Sequence, residues 1–144
     1  MKPEILGYIK TQRVGVLAVE MPDGSPHAAT VHFAHTEEPL RFFFETYRDS
    51  RKAEALFGRE VTRASFVIGS DESAMKTLQF DGEIRLLQSD ETAAKDLYLG
   101  KFTEKKEKSK DPKFIFFVFV PKWWRFTDWR TPKGKVIITS EDTL

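Results

Sequence analysis

Residues 40–57 read LRFFFETYRDSRKAEALF, and the parsing of this stretch decides the fold. Leu40 to Thr46 is dense in aromatic residues and reads as a strand that stops at the polar pair Glu45-Thr46. Helical spacing resumes at Ala53, Leu56 and Phe57, with Gly58 placed to end the helix. Between the two elements Ser50, Arg51 and Lys52 stand in a row. Two cations at a helix start oppose the macrodipole, whose N-terminal end is already positive. A bound anion offsets that cost. Ser50 supplies a hydroxyl, Arg51 a planar fork of donors, Lys52 a point charge, and Thr46 a second hydroxyl from the strand end. A simpler account also explains the serine: Ser50 or Asp49 caps the helix while Arg51 and Lys52 are solvated.

Working outward, KPEILGYIK predicts a short opening helix, with Pro3 at its first position and Ile5, Leu6 and Ile9 on one face. VGVLAVE (Val14 to Glu20) is a strand, MPDGSP a turn, and HAATVHFAH (His27 to His35) the returning strand. With Leu40 to Thr46 these form an antiparallel meander. RASFVIG (Arg63 to Gly69) and KTLQFDGEIRLL (Lys76 to Leu87) are further strands, the second bent or bulged at Asp81-Gly82. SDETAAKDLYLGKF predicts a helix capped by Ser89 or Asp90, with Ala93, Leu97 and Tyr98 facing inward. TEKKEKSKDPK, mixed in sign, is expected to be a solvated segment. FIFFVFVP (Phe114 to Pro121) is continuously apolar and should be buried on both faces. WWRFTDW predicts another strand, TPKG (residues 131–134) a turn, and KVIIT an edge.

The sum is a mainly β fold with short helices: six to eight antiparallel strands, Greek-key-like, in one domain over residues 1–144. Closure into a barrel removes exposed strand edges, so a closed or nearly closed barrel is favoured over an open sheet. A chain of 144 residues can bury a core without disulfides or a structural metal.

Composition narrows the function. Lys and Arg number 23 against 22 Asp and Glu, a net charge of +1, without the basic excess of a nucleic-acid binder. The absence of cysteine excludes thiol catalysis, disulfides and zinc-thiolate sites. No stretch approaches ~18 consecutive apolar residues, and MKPEILGYIK is too short an apolar run for a secretory signal, so a cytoplasmic protein off the membrane is expected. His27 and His35 share a face but stand on the order of 26 Å apart at strand rise, and His32 points the other way; no metal site is expected. Neither a Rossmann nor a P-loop glycine pattern occurs. Most of the C-terminal aromatic residues are expected in the core or an interface, with Trp124 or Trp129 the candidates to stack on a ring-shaped ligand.

Strand, Thr46, three residues, Ser50-Arg51-Lys52 and a short helix, set among these elements, resemble the pyridoxamine 5'-phosphate oxidase-like superfamily of FMN-binding split barrels, in its short general-stress-protein branch. The resemblance covers roughly Pro3 to Leu87 well and the C-terminal third loosely. It implies a split β-barrel with FMN as cofactor. Arg51 and Lys52 would hold the FMN phosphate, with Ser50 and Thr46 as supporting donors. Glu45 stands where many members carry an aromatic residue. Ala29, Thr30 and Val31, followed by His32, occupy the strand that runs beside the flavin in the family, and Ala29 replaces a basic residue that many members have. Thr77 and Gln79 lie where a family glutamine reaches the flavin, often from the second subunit. His32 reads either as a neighbour of the flavin edge or as a polar residue on a partly wet face.

The resemblance further implies a homodimer with cofactor at the subunit interface. It suggests a flavin-dependent oxidoreductase acting on a small substrate or a reduced nicotinamide, with no residue standing out as a catalyst. The Arg-x-His segment and Arg-Leu tail of true pyridoxamine-phosphate oxidases are missing, so vitamin B6 oxidation is not expected. The alternatives are a non-catalytic flavin-binding stress or carrier protein, and a binder of a deazaflavin or haem on the same barrel.

Overall fold

Alternating and continuous apolar runs both find their places in one eight-stranded antiparallel sheet. The structure, a computed structural model, describes residues 1–69, 71–132 and 134–143. Helix α1 (Pro3–Lys10) carries Pro3 in its first turn and buries Ile5, Tyr8 and Ile9. Strands β1 (Val14–Glu20), β2 (Pro26–His32), β3 (Ala34–Glu37) and β4 (Leu40–Tyr47) follow. Then come β5 (Thr62–Ile68), β6 (Lys76–Leu86), helix α2 (Thr92–Lys101), β7 (Phe114–Thr131) and β8 (Gly134–Thr139). The hydrogen-bonded order is β2-β1-β5-β6-β7-β4-β3, with β8 added to β7. The sheet curls without closing: a split barrel.

Three local readings change. The expected strand from His27 to His35 is two strands, β2 and β3, separated at Phe33, which is fully buried. The two expected strands in residues 114–129 are one 18-residue strand. Its first part pairs with β4 and its last part with β8. On the predicted inner face of α2 only Tyr98 is buried; Ala93 and Leu97 are exposed, and Glu91 occupies the cap position in place of Ser89 or Asp90. The TPKG turn includes Lys133, which lies outside the described residues.

The core is a ring cluster. Phe66 meets Phe33, Phe42 and Phe44 with centroids 5.4, 5.1 and 5.1 Å apart, and Phe80 and Phe119 complete the set. A second, smaller cluster of Ala34, Tyr98, Phe102, Phe114 and Phe116 lies beneath α2. β7 therefore faces apolar surroundings on both sides. Phe117 and Phe119 enter the barrel while Phe114 and Phe116 meet the helix, as the continuous apolar run demands.

The expected irregularity at Asp81-Gly82 is a bulge. Asp81 pairs with Trp123 and Gly82 with Pro121, which leaves Lys122 as the extra residue. A methyl group at Gly82 would collide with the Val120 carbonyl oxygen and press the Phe119 ring. Gly82→Ala is expected to cost ~1–3 kcal/mol in urea unfolding, the range for forced overpacking. A cost near zero would mean the bulge absorbs a side chain freely.

Candidate functional site

The site lies where β4 hands over to the residues after it. Thr46, near the end of β4, is only 4% exposed, and its Oγ1 lies 2.7 Å from Ser50 Oγ. Ser50 is extended (φ −71°, ψ 154°) and precedes a single 3-10 segment, Arg51–Leu56, that buries Ala53, Ala55 and Leu56. Ser50 stands at the cap position but makes no side-chain cap hydrogen bond; its hydroxyl is committed to Thr46 instead. The capping account of Ser50 therefore does not describe what the side chain does. The segment is also too tight and short to act as an α-helical dipole, so the charge argument rests on the side chains.

Thr30, Val31, His32, Glu45, Thr46, Tyr47, Ser50, Lys52 and Lys105 enclose a cleft of about 270 Å³. Lys52 is half-buried, and desolvation pulls its ammonium pKa below the usual lysine value, with Glu45 acting in the opposite direction. Lys52 forms no ion pair with a carboxylate among the described residues. A partly desolvated cation beside two paired hydroxyls is suited to an anionic oxygen group.

The deeper wall is a polar cluster around Lys105. Its Nζ donates to Glu45 Oε1 at 2.9 Å and to Tyr98 Oη at 2.9 Å, and lies 3.0 Å from His32 Nδ1. Tyr98 in turn donates to Glu45 Oε1 at 3.4 Å. Burial, then the Glu45 charge, raises the Tyr98 pKa, so the phenol stays protonated. Desolvation, then the Lys105 and Arg13 charges, lowers that of His32, whose ring packs on Phe102 with centroids 5.0 Å apart. A neutral His32 can accept from Lys105 at Nδ1.

Of the residues expected at the site, Thr30, Val31, Glu45, Thr46, Ser50 and Lys52 come together around this cleft. Arg51 is exposed and does not line it; Ala29 is half-buried on β2 and also lies outside the lining. Thr77 lines a different cavity of about 410 Å³, with Gly69, Met75 and Trp129. Gln79 is exposed on β6 and pairs with Val67 and Arg125. Trp124 is buried in the core, whereas Trp129 is 48% exposed. Among the described residues no group of three or more His, Cys, Asp or Glu is arranged to hold a metal ion.

Lys105 and Tyr98 were not among the site candidates. Lys105 lies in the mixed-charge segment expected to be solvated, yet its side chain is only 14% exposed. No helical periodicity reveals it: α2 ends at Lys101, Phe102 leaves the helix, and the turn Thr103–Lys105 brings the ammonium back over the Tyr98 ring.

Lys101 lies one turn away. Its ammonium donates to the carbonyls of Gln12 and Phe33, both at 2.8 Å, and sits 4.5 Å from the Phe33 ring centroid. Burial, then Arg13, brings its pKa down to about 8. An NMR titration of the lysine Cε signals should show Lys101 changing near pH 8, well before surface lysines. Relative to the unfolded chain, folding shifts Lys101 toward its neutral form. The stability penalty for charging Lys101 is therefore complete below pH 8 and relieved as pH rises toward the ordinary lysine value of ~10.4. Titration together with the surface lysines would show that burial is offset by the carbonyls and the ring.

Fold and cleft together define a split-barrel protein with an anion-suited corner at the end of β4. The profile of the family described as pyridoxamine 5'-phosphate oxidase matches residues 1–128, and the chain belongs to that family. Among solved structures, a haem binding protein from Mycobacterium smegmatis is 20% identical with a TM-score of 0.73. That match covers 93% of this chain, which spans about half (55%) of the other protein. A protein related to general stress protein 26, of the pyridoxinephosphate oxidase family, from Clostridium acetobutylicum is 13% identical with a TM-score of 0.69. It covers 96% of this chain and 94% of its own. HutZ, the haem storage protein of Vibrio cholerae, is 19% identical with a TM-score of 0.64 over 84% of this chain and 89% of its own. At these identities the likeness concerns the fold. No curated protein sequence matches the chain. Among the described residues no helix is long and apolar enough to cross a membrane.

Proposed function

We propose that the chain binds FMN, with the flavin phosphate in the Thr46–Ser50–Lys52 corner. The observation that carries this reading is the Ser50 hydroxyl, held by Thr46 in a cleft beside a half-buried lysine instead of capping its own segment. The donor set fits a phosphate monoester: the O–H left over from the Thr46–Ser50 pair and the Lys52 ammonium, with Arg51 exposed beside them in sequence. Val31 and Thr30 on β2 would flank the ribityl chain. When bound, the flavin supplies two-electron redox chemistry. The protein's part is to bind, orient and exclude water.

The cleft of about 270 Å³ falls below the roughly 300–1,000 Å³ of usual cofactor pockets, so the flavin ring needs a further wall. A second copy of the chain fits that need. On the outer sheet surface Thr30, Val16, Val67, Gln79 and Arg125 form one cross-strand row running from the cleft wall to β7. Val16 and Val67 are each 36% exposed, and Ala18 and Ala28 pair beside them. A homodimer packed on this surface would place Gln79 and the Thr77 cavity near the partner's cleft. Light scattering should return a dimer; a monomer that nevertheless binds FMN fully would remove the interface from the site.

The absorbance spectrum of the purified protein tests the cofactor. A flavin spectrum, with FMN identified by mass after release, supports the reading. A haem band supports a second one, favoured by the two haem proteins among the structural neighbours. NADH or NADPH oxidation by the flavin-loaded protein would distinguish an oxidoreductase acting on a small substrate or reduced nicotinamide from a flavin carrier or stress protein.

A further inference from the structure

A carboxylate is out of place in a cleft that would hold a dianion, yet Glu45 is among the lining residues. Lys105 meets it at 2.9 Å, and the two side chains are only 16% and 14% exposed. This is not a solvated surface pair, whose contribution would be small. Lys105 is delivered by the turn Thr103–Lys105 that follows α2, the helix packed against β3 and β4. It is held there by the Tyr98 and Phe102 rings, with centroids 5.3 and 5.0 Å away. Its three ammonium protons have three acceptors, Glu45, Tyr98 and His32, so none is left over for a ligand in this arrangement.

We propose that Lys105 is the charge-compensating residue of the phosphate site. By pairing with Glu45 it cancels the one negative charge in the cleft and sets how strongly a phosphate monoester is held there. The proposal rests on the phosphate-site reading above. With Glu45 and Lys105 cancelling and His32 neutral, Lys52 is the surplus charge in the lining. Without Lys105, the Glu45 carboxylate would oppose Lys52 and repel the ligand. Without Glu45, the cleft would carry two cations. Lys105 acts through Glu45 and need not touch the ligand, which makes it a positioning residue. α2 and its following turn thereby become part of the site's electrostatics.

The test is a double-mutant cycle on the full chain with FMN, riboflavin and inorganic phosphate as probes, read by calorimetry. Lys105→Met keeps an apolar stem and should weaken FMN and phosphate binding about tenfold, the scale expected of an uncompensated charge in a half-buried site. Glu45→Gln keeps a hydrogen-bond acceptor for Lys105 and should tighten both by a similar factor. The double variant should return to within about threefold of the parent, because the charges it removes cancel. Riboflavin, which has no phosphate, should be affected far less by each change. Loss of both flavins in parallel, or a double variant as weak as Lys105→Met alone, would reduce Lys105 to a structural tether and overturn the proposal. Unchanged FMN affinity in both single variants would overturn it while leaving the flavin reading intact. Phosphate binding that follows the cycle without any FMN binding would do the reverse. Absence of both ligands from the parent protein would remove the phosphate site itself, and both readings with it.

Discussion

Replacing Arg51 and Lys52 together by alanine is expected to weaken FMN binding by roughly 10²–10⁴-fold, because each charge-assisted contact contributes ~1.5–3 kcal/mol. The two residues should not contribute equally. Lys52 lines the cleft half-buried, where charge is poorly screened, whereas Arg51 is exposed and must reach in from solvent. Lys52→Ala should therefore cost more than Arg51→Ala, and the Arg51 effect should shrink more in high salt. Fluorescence quenching on titrating FMN into the apoprotein measures both, with circular dichroism confirming that the variants are folded. Unchanged affinity in the double variant would mean that the corner is not the phosphate site. A larger loss for Arg51→Ala would mean that the arginine closes onto the ligand and takes the main charge.

The second large effect is on stability. Phe66→Ala is expected to cost ~3–5 kcal/mol, the range for emptying a fully buried aromatic position. Phe66 is inaccessible to solvent and lies among Phe33, Phe42, Phe44, Phe80 and Phe119, which come from three strands (β4, β6 and β7) and the β2–β3 connection. Its ring also fills the space that Gly15 leaves by having no side chain, so the cavity could not be closed by one neighbour moving in. Denaturant unfolding gives the free energy, and the melting temperature should fall by ~10 °C for a chain of this size. A loss below ~1 kcal/mol would show that the five remaining rings repack, and that the barrel tolerates voids at its centre.

Two features of the site were open to a reader of the sequence for different reasons. The strand ending at Thr46 and the Ser50-Arg51-Lys52 run are local, so turn chemistry and charge placement betray them. Gly82 announces the bulge because a glycine inside a strand pattern marks a bend or a close backbone approach, here to the Val120 carbonyl. His32 and Thr30, two positions apart on β2, share a face by strand alternation, and both line the cleft. The break at Phe33 was hidden: the apolar pattern runs on across it, and only the burial of Phe33 against Phe42 and Phe66 shows where β2 turns into β3.

By itself the sequence determined the mainly β character, the doubly buried run in β7 and the identity of the residues at the end of β4. Each of these depends on neighbours within a few positions, where periodicity and turn propensity operate. The tertiary structure alone decided that Ser50 spends its hydroxyl on Thr46 and not on a cap, and that Arg51 lies outside the cleft. It also decided that Lys105, sixty residues from Glu45, closes the wall with it. A charged residue in a polar segment looks solvated until the chain folds. Only the packing of α2 over Phe114 and Phe116 fixes where that lysine ends, and with it the electrostatic balance of the site.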